Sequence, residues 1–255
     1  MRSIGKQSFL AQFAIIALLA TASSIASAQR VWRTPGANEY KREIPEYIQT
    51  KSLEYAEELK RTVPPEEAVM FVGSATIEGW DLDRWFPELT TIKRGWGGSM
   101  IDECTKLADQ FILPHKPAVI VLYAGDNDIW FNKPPELTLQ HYKEFERKVR
   151  EPLPDVEIIF ISIRYSIARW DWYDSMRKTN ELLSDYIQSK PNMYFVDINT
   201  GMMGPDKRPR KDFLHEDNLH LSEAGFAHWS ASVSPVIKAA KNNYDNVKRN
   251  TAGKE

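Results

Sequence analysis

The chain has 255 residues, enough for one α/β domain with a sizeable core, and its 33 Lys and Arg nearly balance 35 Asp and Glu, for a formal net charge of -2. That balance gives no electrostatic basis for gripping DNA, RNA or an anionic membrane, so no nucleic-acid partner is expected. The single cysteine, Cys104, excludes an internal disulfide, and its helical context reads as a buried thiol rather than a nucleophile.

In chain order, the first segment has the three parts of a secretory signal peptide. Arg2 and Lys6 make a basic start, residues 9–20 are nearly all apolar, and Ala26 and Ala28 supply the small residues of a cleavage site after Ala28. Gln12 interrupts the apolar run, which falls short of the ~20 residues a membrane span needs. The expectation is an exported protein, periplasmic or secreted, with residues 1–28 removed and no stable membrane span left after cleavage. Residues 29–65 read as an N-terminal extension with a helix over 40–61, carrying apolar positions at Ile44, Ile48, Leu53, Ala56 and Leu59. Residues 66–241 form the main domain, and 242–255 a polar tail.

Five short runs rich in β-branched and aromatic residues follow, at 68–72, 90–93, 118–123, 156–163 and 193–198. Most are continuous rather than alternating, which suits strands buried on both faces of a parallel sheet. Amphipathic helices are expected between them: 99–113 with Ser99 as its N-cap, then 135–150, 173–189, and 222–241 capped by Ser222. Residues 199–212, rich in Gly, Pro and basic side chains, read as a surface loop, and the polar stretch from Lys238 onward as a frayed end. Strands alternating with helices predict an α/β fold, a three-layer α/β/α sandwich around a mainly parallel five-stranded sheet.

In such sheets ligands gather at the C-terminal strand ends. Three strand ends here run into unusual loops: Gly73-Ser74-Ala75, Gly95-Trp96-Gly97-Gly98-Ser99, and Gly125-Asp126-Asn127-Asp128. Near the C-terminus comes Asp217-Asn218-Leu219-His220, just before a capped helix. Together these segments contain what acyl transfer needs. A serine hydroxyl requires an adjacent base, which His220 supplies near neutral pH. A carboxylate must hold the imidazole tautomer, and Asp217 is one turn of chain away. The developing oxyanion needs donors, for which the backbone N–H groups of Ser74 and Gly98 and the Asn127 amide are candidates.

These four segments resemble the SGNH hydrolases, also called GDSL esterases and lipases, over roughly residues 66–240. The resemblance implies a flavodoxin-like α/β/α fold and no metal or organic cofactor. It also implies a triad of Ser74, Asp217 and His220, with an oxyanion hole made by Ser74, Gly98 and Asn127. Three positions depart from the family pattern. Gly73 stands where the aspartate of the GDS name belongs, Ala75 replaces a second serine, and Lys93 replaces an asparagine. None removes a group used in the chemistry.

Other readings are weaker. His215, Asp217, His220 and His228 lack the helical spacing of a metal pair, so no metal is expected. The loop ending in Gly98 lacks both the P-loop ending and the dinucleotide-binding glycine spacing. His115 and His141 have no local partners and read as surface residues. Of the 8 Trp, Trp130 is expected to be exposed at the site and Trp96 to sit beside the oxyanion glycine, both as substrate contacts. The expected substrate is a small-molecule or carbohydrate ester with a short acyl or acetyl group. The alternatives are lipase, thioesterase or phospholipase activity at the same site, or a catalytically silent carbohydrate-binding protein.

Overall fold

Three strands are apolar along nearly their whole length, and the sheet explains why. β1 (Val69–Gly73), β3 (Val119–Tyr123) and β4 (Glu157–Ile161) are buried at every residue. They form the middle of an all-parallel five-stranded sheet of order β2-β1-β3-β4-β5, with β2 (Thr91–Gly95) and β5 (Met193–Val196) at its partly exposed edges. The structure is a computed structural model describing residues 43–252. The signal peptide expected over 1–28 lies outside the described residues. Among the described residues, no helix is long and apolar enough to cross a membrane.

Side chains along a strand alternate between faces, so each central strand feeds two cores. Met70, Val72, Ile120, Leu122, Ile158 and Phe160 point to one face. There they meet α1 (Glu46–Arg61), α4 (Ile101–Lys106), α5 (Ala108–Phe111), α7 (Pro135–Arg150) and α8 (Tyr173–Gln188) through Ile48, Cys104, Phe111, Phe145 and Leu183. Val69, Phe71, Val119, Val121, Ile159 and Ile161 point to the other face. That face is covered by α2 (Ala75–Gly79), α3 (Leu82–Trp85) and α9 (Glu223–Ala252), through Ile77, Leu82, Trp229, Val233 and Ile237. A sheet covered on both faces is the predicted three-layer sandwich.

Several boundaries differ from expectation. The helix expected over 99–113 is broken at Leu107 into α4 and α5, followed by a 3₁₀ turn at Leu113–His115. Its N-cap is Met100, whose N–H donates to the Glu103 carboxylate at 2.9 Å, while Ser99 is fully buried one residue earlier. Ser222 does cap α9, accepting the Gly225 N–H at 3.2 Å. The polar end does not fray at Lys238. α9 continues to Ala252, because Tyr244 still packs on the second core and the Asn243 amide reaches Glu157 at 2.7 Å. On α1 the inward residues are Ile48 and Ser52, and Leu53 faces solvent.

His115 is not a surface residue. It is buried, and Arg94 donates to its Nε2 at 3.0 Å. Burial, assisted by the Arg94 charge, pulls its pKa down to about 4. The folded state therefore prefers the neutral ring, whereas an unfolded chain protonates it near 6.5. Stability contributed by this site is full above pH 6.5 and is lost as pH falls towards 4. His115→Gln should flatten the decline of the urea midpoint across that window while lowering the midpoint at pH 8; an unchanged pH slope would contradict this account.

The top of β1 is sterically closed. Gly73 has φ +143°, and a Cβ there would lie 1.8 Å from the Tyr123 carbonyl oxygen of β3. Backbone cannot yield as the end of a side chain can, so the aspartate of the GDS pattern has no room at this position. Gly73→Asp, which restores the family's namesake motif, is expected to lower stability by several kcal/mol and cut soluble yield rather than raise activity. A thermal melt of the purified variant checks this.

Candidate active site

The parallel register aligns Gly73 with Gly95 on one side and with Tyr123 on the other, so three strands end together. Ser74 follows β1 directly, and the residue is nearly buried. Gly98 lies in the loop after β2, with φ +71°. Asn127 lies in the first turn of α6 (Asp126–Trp130), after β3. His220 arrives from a turn closed by a bridge between Leu214 and Leu221 and by the His215 N–H to the His220 carbonyl at 2.8 Å. These four residues line one cleft of about 250 Å³, together with Asp126, Trp130, Phe131, Arg164, Arg169 and Leu219.

Asp217 stands behind His220 rather than in the cleft wall. Its Oδ2 lies 2.5 Å from His220 Nδ1, and its Oδ1 accepts the N–H groups of Leu219 and His220 at 2.9 Å each. The bond to His220, then those backbone donors, hold the carboxyl far below the usual carboxylate range. With Nδ1 occupied, Nε2 is the ring nitrogen left to act as a base. No hydrogen bond joins the Ser74 hydroxyl to the His220 ring; in active sites such bonds commonly tighten only in the complex with substrate.

The oxyanion donors are not all placed as expected. The Ser74 N–H is committed to the Tyr123 carbonyl at 3.0 Å, extending the β1–β3 ladder by one bond. The N–H expected to serve the oxyanion is thus engaged in the strand ladder. The Asn127 amide is held at both ends: Nδ2 donates to the Ser99 carbonyl at 2.9 Å, and Oδ1 accepts from Arg169 at 2.9 Å. The Gly98 loop is braced from α1, where Tyr47 Oη donates to the Gly97 carbonyl at 2.5 Å and Tyr55 Oη to the Gly95 carbonyl at 3.1 Å.

The tryptophans divide. Trp130 is 44% exposed at the cleft rim, beside the equally open Phe131. Trp96 is 2% exposed, turned into the first core against Phe111 at 4.7 Å between ring centroids, so it is a packing residue and not a substrate contact. Its side chain packs in the core to which α1 and α5 contribute Ile48 and Phe111.

Two residues that line the cleft escaped the sequence reading, Arg164 and Arg169. Both follow β4, a fourth strand end on the same edge, and that position was the signal available. Arg164 is buried and spans the site: one arm donates to Thr76 Oγ1 at 3.3 Å, the other to the Leu219 carbonyl at 2.5 Å. It thus ties the helix after Ser74 to the turn carrying His220. Arg169 pairs with Asp126 at 2.9 Å and lies under the Trp130 ring at 5.1 Å.

Asp102, Asp128 and His141 form a group compact enough to hold a cation. The cation there is the chain's own Lys133, whose buried ammonium lies 2.7 Å from Asp102 and 2.9 Å from Asp128. Burial opposes the charge on Asp102, but Lys133 and Lys106 outweigh it and hold the carboxyl at about 2. His141, expected at the surface, packs 3.6 Å from Asp128.

The family model described as GDSL-like lipase/acylhydrolase matches residues 72–228, which include every expected site residue. The sequence matches no curated protein significantly. Solved structures share the fold. A GDSL-like lipase from Bacteroides thetaiotaomicron is 21% identical with a TM-score of 0.64, covering 74% of this chain and 98% of that one. A Streptococcus pneumonia protein named for platelet activating factor is 21% identical with a TM-score of 0.66, covering 74% and 91%. A family 3 carbohydrate esterase from Clostridium thermocellum is 18% identical with a TM-score of 0.55, covering 69% and 98%. The family match spans more than half of the sequence: the chain belongs to the GDSL-like lipase/acylhydrolase family and is a serine hydrolase acting on ester bonds.

Proposed function

We propose that the cleft hydrolyses short-chain carboxylic esters in two steps, with Ser74 as nucleophile, His220 as base and Asp217 as the group that orients it. His220 Nε2 takes the Ser74 proton as Oγ attacks the ester carbonyl. The oxyanion is met by the Gly98 N–H and the second Asn127 Nδ2 hydrogen. The carbonyl re-forms, the alkoxide leaves with the proton from His220, and the acyl group stays on Ser74. Water then gives its proton to His220 and attacks the acyl carbon. Collapse of the second intermediate releases the acid, and Ser74 Oγ regains its proton.

The observation that carries this reading is the meeting, in one cleft, of Ser74, Gly98, Asn127 and a His220 whose far nitrogen is held by Asp217 at 2.5 Å. Turnover of p-nitrophenyl acetate is the direct test. Ser74→Ala should lose at least roughly 10⁴-fold in kcat; retained turnover would remove the serine from the mechanism. Asp217→Asn should cost less, on the order of 10³-fold. The pair is half exposed, at 43% and 51%, and water can partly replace the lost acceptor.

For the substrate, an acetyl or other short acyl group on a carbohydrate fits best. The cleft is small, and Trp130 offers an open aromatic face for stacking on a sugar ring. The Clostridium thermocellum relative is named for carbohydrate esters, and a secreted or periplasmic location would bring such substrates within reach. The adjacent Phe131 favours a second reading, a lipid ester, because the two exposed rings together make an apolar rim. Activity against acetylated oligosaccharides and p-nitrophenyl esters of increasing chain length separates the two. Trp130→Ala should raise KM for the sugar ester about fivefold, as lost stacking worth ~1 kcal/mol implies, and unchanged kinetics would exclude Trp130 from recognition.

A further inference from the structure

We infer that Arg169 is a positioning residue for the oxyanion hole: it sets which end of the Asn127 amide faces the reacting carbonyl and polarises that end. The inference rests on reading Asn127 as an oxyanion donor. An asparagine side chain can flip, and the flipped form would turn a carbonyl oxygen towards a developing negative charge. Here the choice is forced. Arginine carries donors only, so the atom 2.9 Å from Arg169 Nη2 must be Oδ1. Nδ2 is then the atom 2.9 Å from the Ser99 carbonyl. Of its two hydrogens one serves Ser99; on this reading the other meets the oxyanion in the cleft that Asn127 lines.

Arg169 is itself over-determined. Its Nη1 donates to Asp126 Oδ2 at 2.9 Å, in the same fork that reaches Asn127 through Nη2. The Trp130 ring covers the guanidinium, and the arginine side chain is only 11% exposed. A planar guanidinium can hold a carboxylate and an amide oxygen at once, in fixed directions; a lysine ammonium is a point charge and fixes neither plane. A positive charge on Oδ1 also draws electron density from the amide and makes its N–H a stronger donor. The loop that supplies Arg169 is fastened to the histidine turn: the Ala168 N–H donates to the Asn218 carbonyl at 3.1 Å, and Arg164 holds Leu219. The strand-β4 loop therefore couples the oxyanion amide to the base.

The test is a double-mutant cycle on p-nitrophenyl acetate hydrolysis. Asn127→Ala and Arg169→Met should each lower kcat by roughly 100-fold with KM within about threefold. In the Asn127→Ala background, Arg169→Met should cost less than about threefold more, because its effect passes through the amide. Arg169→Lys should fold and lose roughly tenfold in kcat. Arg169→Met/Asp126→Asn removes the carboxylate that would otherwise be left unpaired, and should match Arg169→Met in kcat. In wild-type and Arg169→Lys protein, the Asn127 side-chain ¹⁵N amide resonance should differ. Full kcat in Arg169→Lys and in both Met variants would overturn the inference, as would independent, multiplying losses in the cycle. Loss of activity in Ser74→Ala and Asn127→Ala with none in the Arg169 variants would leave the esterase reading intact and sink only this one; wild-type rates in Asn127→Ala would sink the donor assignment beneath it.

Discussion

The peptide joining Gly73 to Ser74 is hydrogen-bonded on both sides. Its carbonyl accepts the Trp96 N–H of the β2 loop at 3.0 Å, and its N–H donates to Tyr123 of β3 at 3.0 Å. Three strands thus converge on one peptide unit, and the rest of the site is arranged around it. The serine is fixed at the sheet edge by backbone bonds rather than by its own side chain, which leaves the hydroxyl uncommitted. The same closeness explains why only glycine fits before it and why the family's aspartate is missing here. In the proposed mechanism a nucleophile held this rigidly gains orientation, the contribution that converts an encounter into an effectively intramolecular step.

What could be read from the sequence was what repeats or stands at a strand end. Continuous apolar runs announced β1, β3 and β4 because those strands are covered on both faces and have no polar side to alternate. Ser74, Gly98, Asn127 and His220 were legible because each belongs to a short segment whose residue types have few other joint uses. Asp217 was legible because its distance along the chain from His220 allows only a tight turn to join them.

What could not be read depended on partners distant in sequence. Trp96 follows a strand, as a cleft residue would, but its side chain is drawn inward by Phe111. His115 has no local partner because its partner, Arg94, lies on β2, 21 residues earlier in the chain. The end of the C-terminal helix looked polar from Lys238 onward, yet Tyr244 packs there on the second core, a partner distant in sequence. Arg164 and Arg169 carry no local signature at all. Their role comes from bridging segments that the chain separates by 88 residues, in the case of Arg164 and Thr76, and by 42, in the case of Arg169 and Asn127.

The Asp217–His220 pair poses the remaining physical question, since both side chains are about half exposed. In a buried triad, low dielectric strengthens the carboxylate–imidazole bond and protects its geometry. Here a tight turn takes over the second task. Asn218 adopts φ +56°, its N–H closes on the His215 carbonyl at 2.9 Å, and two further backbone N–H groups converge on Asp217 Oδ1. Those donors favour the ionised carboxylate whatever the solvent does around it, so Asp217 remains charged across the range in which an imidazole can act as a base. Arg164, bonded to the carbonyl of Leu219 between Asp217 and His220 in that turn, anchors it to the helix that follows Ser74. Rigidity built from backbone and one buried arginine thus substitutes for burial of the pair.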